Sequence, residues 1–140
     1  KAVDNQLSNN HQLVLQISEG EYKPKSHQYF EFTDDIDSYY NDADLIISHG
    51  GAGTIYRVLE LGKKLIIVPN LDRIDHHQMD ICEFMKNNNH AAVCLILDNL
   101  AKLVAEIESI NFASFQPDEF TGIDNIRDYL GLNDETVTSL

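Results

Sequence analysis

The stretch Leu45-Ile46-Ile47-Ser48-His49-Gly50-Gly51-Ala52-Gly53-Thr54, answered by Leu65-Ile66-Ile67-Val68-Pro69-Asn70, decides the fold of this chain. Both apolar runs are rich in β-branched residues and do not alternate with polar ones. Such runs suit strands buried on both faces, as in a parallel sheet. Between them, Thr54 to Leu61 carries Ile55, Val58 and Leu59 on one side and stops at Gly62, a residue suited to a left-handed helix cap. Strand, glycine turn, helix and strand together make one right-handed crossover unit.

The same alternation extends in both directions. Leu13 to Ile17 and the weaker Tyr29 to Phe32 precede the deciding stretch, and Ala91 to Ile96 follows it. Helical patterns lie between: Asp35 to Asp42, Asp75 to Asn89 with Met79, Cys82, Phe84 and Met85, and Leu97 to Ile110 with Leu100, Leu103, Val104 and Ile107. Lys1 to Asn9 reads as a helix already under way, and Thr121 to Leu130 as a small terminal one. The expected fold is α/β, a Rossmann-like, doubly wound, mostly parallel sheet. Residues 1–132 form the expected domain and residues 133–140 a polar tail.

Composition narrows the function. At 140 residues and 43% hydrophobic, the chain can build one core without metals or crosslinks. A net charge of -13, from 23 acids against 10 bases, excludes nucleic acid as a partner and repels an anionic membrane. No run approaches the length of a membrane span, and no signal peptide is visible. Cys82 and Cys94 share no metal or redox spacing and read as buried free thiols, which suits a reducing cytoplasm.

In doubly wound sheets, ligands bind beyond the carboxyl ends of the strands. Three loops there are chemically loaded: Glu31 to Ile36, Ser48 to Thr54 and Pro69 to Gln78. The glycine turn offers close backbone approach, and the helix start offers free N–H groups for an anion. Its plainer reading is a tight strand-to-helix turn capped by His49. A P-loop, a dinucleotide fingerprint and a nucleophile elbow all fail on spacing; Tyr56 stands where the fingerprint needs its third glycine. In Asp72-Arg73-Ile74-Asp75-His76-His77-Gln78, the four-residue spacings of Asp72, His76 and Asp80 allow a metal, but no third ligand stands out. The cluster otherwise serves to bond a hydroxyl-rich ligand through Gln78, or to cap a helix through Asp72 or Asp75.

Taken together, ADLIISHGGAGTIYRVLELGKKLIIVPN followed by DHHQ resembles the C-terminal, donor-binding domain of GT-B glycosyltransferases. The likeness runs from about Leu13 to Leu103. It is nearest to the small subunits of split UDP-sugar transferases, including PssE-type subunits, and to the corresponding half of MurG. The resemblance implies a UDP-sugar donor, a lipid-linked sugar acceptor and a membrane-anchored partner subunit that binds the acceptor. It implies neither a metal nor a cofactor. It places the protein in the cytoplasm, peripheral to the membrane through that partner. By residue, it implies that Thr33 frames the uracil, that His49, Gly51, Gly53 and Thr54 hold the diphosphate, and that His77 and Gln78 read the donor sugar.

Two departures stand out. Where the family carries a ribose-binding acid one turn beyond Thr54, this chain has Arg57, with Glu60 on the neighbouring surface. The family's first strand and first glycine loop are not found before Lys1. No general base is evident, since His11, His27 and His90 read as surface residues; the resemblance places the base near the missing loop or in the partner. The competing expectation is a domain that keeps the fold for partner binding or regulation and has lost donor chemistry.

Overall fold

The computed structural model describes residues 1–7, 11–70 and 76–117, without the side chains of His76 and His77. The expected helix at Thr121 to Leu130 and the tail 133–140 lie outside these residues.

Strands β1 (Val14–Gln16) and β2 (Gln28–Phe30) pair in parallel, and β3 (Leu45–His49), β4 (Lys64–Val68) and β5 (Ala92–Val93) form a second parallel sheet in that order. Helices α1 (Ala2–Gln6), α2 (Ile36–Asp42), α3 (Ala52–Glu60), α4 (His76–Asn87) and α5 (Leu100–Glu106) occupy the intervals. The doubly wound α/β class holds. Among the described residues no ladder joins β1 to β3.

Strand periodicity divides the core. Ile46, Leu65 and Ile67 face Ile55, Val58 and Leu59 of α3 and Cys82 and Met85 of α4. Leu45, Ile47, Ile66 and Val68 join Leu100, Val104 and Ile107 of the opposite layer, with Val3 of α1 and Leu7 just after it. Successive strand residues point to opposite faces, so an unbroken apolar run is what a sheet covered on both sides requires. Burying a side chain of this size stabilises the fold by about 1.5–3 kcal/mol, so β3, β4 and their helices carry most of the stability.

Several boundaries differ from expectation. Helix α3 starts at Ala52 with Gly51 as its N-cap, so Gly53 and Thr54 lie inside its first turn. It ends as expected, with Gly62 at φ +68. Helix α4 stops at Asn87, because Asn89 turns left-handed at φ 55 and His90 N–H closes back on Met85 O at 2.9 Å. The segment expected as one helix from Leu97 to Ile110 has short 3-10 turns at Leu97–Asn99 and Ile107–Ser109 around α5. Phe84 of α4, expected in the apolar stripe, is 49% exposed and lies beside His90, with ring centroids 6.2 Å apart. Both cysteines are buried and free, and burial pushes their thiols up.

His27 is not the surface residue its sequence context suggested. Its side chain is 7% exposed, and Nδ1 lies 2.8 Å from Asp4 Oδ1. A carboxylate only accepts hydrogen bonds, so Nδ1 carries the proton. Asp4 Oδ2 also accepts from Tyr22 Oη at 2.6 Å and from Lys25 N–H at 3.1 Å. These bonds, led by Tyr22 and His27, hold the Asp4 carboxyl far below the usual carboxylate range. They fasten α1 to the connection between β1 and β2. His90 is half-buried, edge-on to Phe115 at 5.3 Å.

Candidate functional site

Because β3, β4 and β5 are parallel, His49, Val68 and Val93 all end on one edge of the sheet. The glycine turn and α3 follow His49 directly. The first helical bond runs from Ile55 N–H to Gly51 O at 3.1 Å. The amides of Ala52, Gly53 and Thr54 therefore have no carbonyl within the helix to donate to, and the positive end of the helix dipole lies with them.

The three glycines are small for different reasons. A Cβ on Gly50 would stand 3.1 Å from Oε1 of Gln78, so α4 leans its first turn on this backbone. On Gly51 it would stand 2.9 Å from Nε2 of His49, whose ring folds over the turn. On Gly53 it would meet nothing within 4 Å among the described residues. Packing among the described residues thus explains Gly50 and Gly51 but not Gly53.

Gln78 joins the loop after β4 to this turn. Its Oε1 is buried without a hydrogen-bond partner among the described residues. A buried, unmatched carboxamide oxygen costs free energy unless a donor reaches it. The sequence-expected neighbours His49, Gly51, Gly53, Thr54 and Gln78 are thus brought together, while the side chain of His77 and the residues Asp72 and Asp75 lie outside the described part.

The loop after β2 leads into α2, which meets α3 through one ion pair. Thr33 Oγ1 accepts from Asp35 N–H at 3.1 Å, and Asp35 Oδ1 caps α2 through Ser38 N–H at 3.3 Å. One residue into α2, Asp37 meets Arg57 of α3: Nε to Oδ1 at 3.0 Å and Nη2 to Oδ2 at 2.5 Å. The forked guanidinium matches the two oxygens of the carboxylate. Arg57 holds Asp37 below the ordinary carboxylate range, and Asp37 raises Arg57 in return. Glu60 Oε2 lies 4.0 Å from Nη1. Arg57 and Glu60, expected near the ribose, are therefore an ion pair on the outer side of α3, with Asp37 as the stronger partner.

Sequence reasoning passed over Asp37 and Phe32. Asp37 gave no motif signal, since its partner is 20 residues away. Phe32 is 74% exposed on the loop after β2, a large ring with no core to fill. An aromatic displaced beyond the strand end was the available clue. A recess of about 350 Å³ lies instead beside the amino end of β4, lined by Gly62, Lys64, Glu108 and Phe112. Lys64 there is matched by Glu108 at 3.0 Å, and doubly wound sheets bind ligands at the other edge.

Residues 2–120 match the glycosyltransferase family 28 C-terminal domain. The chain belongs to that family. This family 28 domain is 32% identical over 130 residues to the UDP-N-acetylglucosamine transferase subunit ALG13 of Mus musculus, covering 78% of the chain and 11% of the mouse protein. It is 47% identical over 55 residues to the subunit of that name from Kluyveromyces lactis, covering 39% of the chain and 28% of the relative. The chain thus spans a small part of these relatives. Among solved structures, the crystal structure of Acinetobacter baumannii MurG matches with a TM-score of 0.57 at 22% identity, over 76% of this chain and 37% of that one. This likeness shows the fold. Family membership makes the chain a GT-B donor-domain homologue with a transferase-associated role. Among the described residues, no helix is long and apolar enough to cross a membrane.

Proposed function

We propose that this domain binds the nucleotide diphosphate of a UDP-sugar and works as the donor-binding subunit of a glycosyltransferase. The observation that carries the reading is the first turn of α3. Its first amides have no acceptor within the helix, a Cβ on Gly53 would meet nothing among the described residues, and Oε1 of Gln78, without a partner among those residues, lies against Gly50 of the same turn. The amides would stabilise charge developing on the leaving diphosphate. Thr54 adds a hydroxyl and His49 a ring N–H, while His77 and Gln78 read the sugar. Thr33 frames the base with backbone atoms. Relatives named as transferase subunits fit a domain that works with a partner subunit; in this reading the partner supplies a lipid-linked acceptor and holds the domain at the cytoplasmic face of the membrane. The general base belongs to that partner or to a segment outside the described residues.

A second reading is a partner-binding or regulatory domain that has lost donor chemistry. The Arg57–Asp37 pair favours it, because a guanidinium cannot accept hydrogen bonds from a ribose diol. Calorimetric titration of the full chain with UDP, and with adenosine as control, separates the two. The donor-binding reading expects UDP to bind at least about tenfold tighter, a difference of roughly 1.4 kcal/mol. Equal affinities would leave only the second reading.

A further inference from the structure

Beyond α5 the chain crosses from one layer to the other: Phe112 packs with the α5 side of the core and Phe115 with the α3–α4 side. Asn89, left-handed at φ 55, clasps this crossing. Its Nδ2 donates to Asn111 O at 2.8 Å, and its carbonyl accepts from Ala113 N–H at 2.8 Å. A carbonyl only accepts, so His90 donates through Nδ1–H to Ala113 O at 3.2 Å. Phe115 is thereby delivered to the outside of α3 and α4. Its ring lies 5.6 Å from Tyr56 of α3 and 5.3 Å from His90, and His90 lies 6.2 Å from Phe84 of α4. The row is only half covered, with Tyr56 38% and Phe84 49% exposed. Large rings gain from further burial, so this face wants an apolar cover.

The chain carries its own cover close by. On a helix over residues 120–130, Phe120, Ile123, Ile126 and Leu130 share one side, and Asp124, Asn125 and Asp128 take the other. Asp118 and Glu119 stand where a helix start favours acids, and Gly131 where a helix end favours glycine. A helix so short is marginal in water by itself, so its apolar side needs a surface. The five residue steps from Phe115 to Phe120 span up to roughly 17 Å, beyond the two ring spacings that lead from Phe115 to Phe84. So short a tether brings the apolar side to the row at an effective concentration on the order of millimolar, ahead of any separate chain. We propose that residues 120–130 form an amphipathic helix docked on the outer faces of α3 and α4, with Phe120, Ile123, Ile126 and Leu130 over Tyr56, Phe84 and Phe115. The proposal stands apart from the donor reading, because none of these side chains belongs to the glycine turn.

Arg127 lies inside this segment and gives trypsin a place to report on it. The test follows cleavage after Arg127 in the purified full chain by mass spectrometry, beside a synthetic peptide of residues 116–140. Cleavage tracks the open population, so a docked helix should be cut at least about tenfold more slowly than the peptide. Phe120→Asp should restore the peptide's rate, and so should Phe84→Asp and Tyr56→Asp, each checked for an intact melt. The protection should not change with protein concentration. Phe120 lies outside the described fold, so its variant decides the matter even where Phe84→Asp does not fold. Cleavage of the natural chain at the peptide's rate, or protection that survives Phe120→Asp, would overturn the proposal. Protection lost in Phe120→Asp but kept in folded Phe84→Asp and Tyr56→Asp would place the helix on another face and overturn it as well. Protection that grows with concentration would make a second copy the cover instead.

Discussion

Asp4 and Asp37 are both carboxylates held in the ionised form by partners far away in sequence, yet they do different work. Asp4 is 7% exposed and gathers a tyrosine hydroxyl, a histidine ring and backbone amides. Removing any one donor or the charge itself leaves buried polar groups unmatched. Asp37 is about half exposed and meets one arginine. Water competes for that pair, and exposed pairs contribute little to stability. The first carboxylate fastens α1 to the β1–β2 connection. The second joins the exposed faces of α2 and α3 and can be altered at small cost. Burial, rather than the length of the hydrogen bonds, separates them.

The largest expected effect is on the Asp4 side. Asp4→Asn keeps the shape but removes the charge and presents an NH2 group where donors converge. Its Tm should fall by more than roughly 5 °C in a thermal melt. Acid should act on the same point. The folded Asp4 carboxyl ionises more readily than the unfolded one, so its stabilisation is complete above the ordinary carboxylate value near pH 4 and is lost as pH falls below it. The difference in Tm between the natural chain and Asp4→Asn should therefore shrink below about pH 4. A constant difference from pH 7 to pH 3 would show that shape, not charge, makes the contribution.

This contrast marks how far the sequence could be read. Leu45–Ile47 and Leu65–Val68 announce buried parallel strands because an apolar run has only one comfortable place. The glycine turn is legible because three small residues between a strand and a helix restrict the backbone, although the helix starts two residues earlier than its apolar residues indicate. Asp4, Tyr22 and His27 share no periodicity. Their meeting depends on how the β1–β2 connection crosses α1, so His27 looked like a surface residue. Asp37 and Arg57 likewise belong to separate helices. Long-range polar contacts carry no local signature, whereas apolar periodicity does.

The next effect concerns the donor edge and should leave the fold alone. A methyl group at Gly53 meets no atom of the described residues within 4 Å, and alanine favours a helix over glycine by about 1 kcal/mol. Gly53→Ala should hold or raise Tm while weakening UDP binding by about tenfold, as read by calorimetry. Gly50→Ala sharpens the point, because its methyl presses on Gln78, 3.1 Å away. That variant should lose both Tm and UDP affinity. If Gly53→Ala bound UDP as the natural chain does, the open space beside the amides would not be the phosphate site.

The smallest effect, and the most discriminating, is at Arg57. Arg57→Ala should shift Tm by no more than about 2 °C, as befits an exposed pair. Arg57→Glu alone sets a carboxylate against Asp37 and close to Glu60, so repulsion would mask any gained acceptor. Combining Arg57→Glu with Asp37→Asn removes that repulsion while keeping an acceptor on α3. A donor site merely weakened by its arginine should then bind UDP about fivefold to tenfold tighter than the natural chain. A domain retained only for its fold should show no gain, because the amides of α3 would no longer be arranged around a nucleotide. The outcome turns on whether the Arg57–Asp37 fork replaced an acceptor in a working site or closed off a disused one.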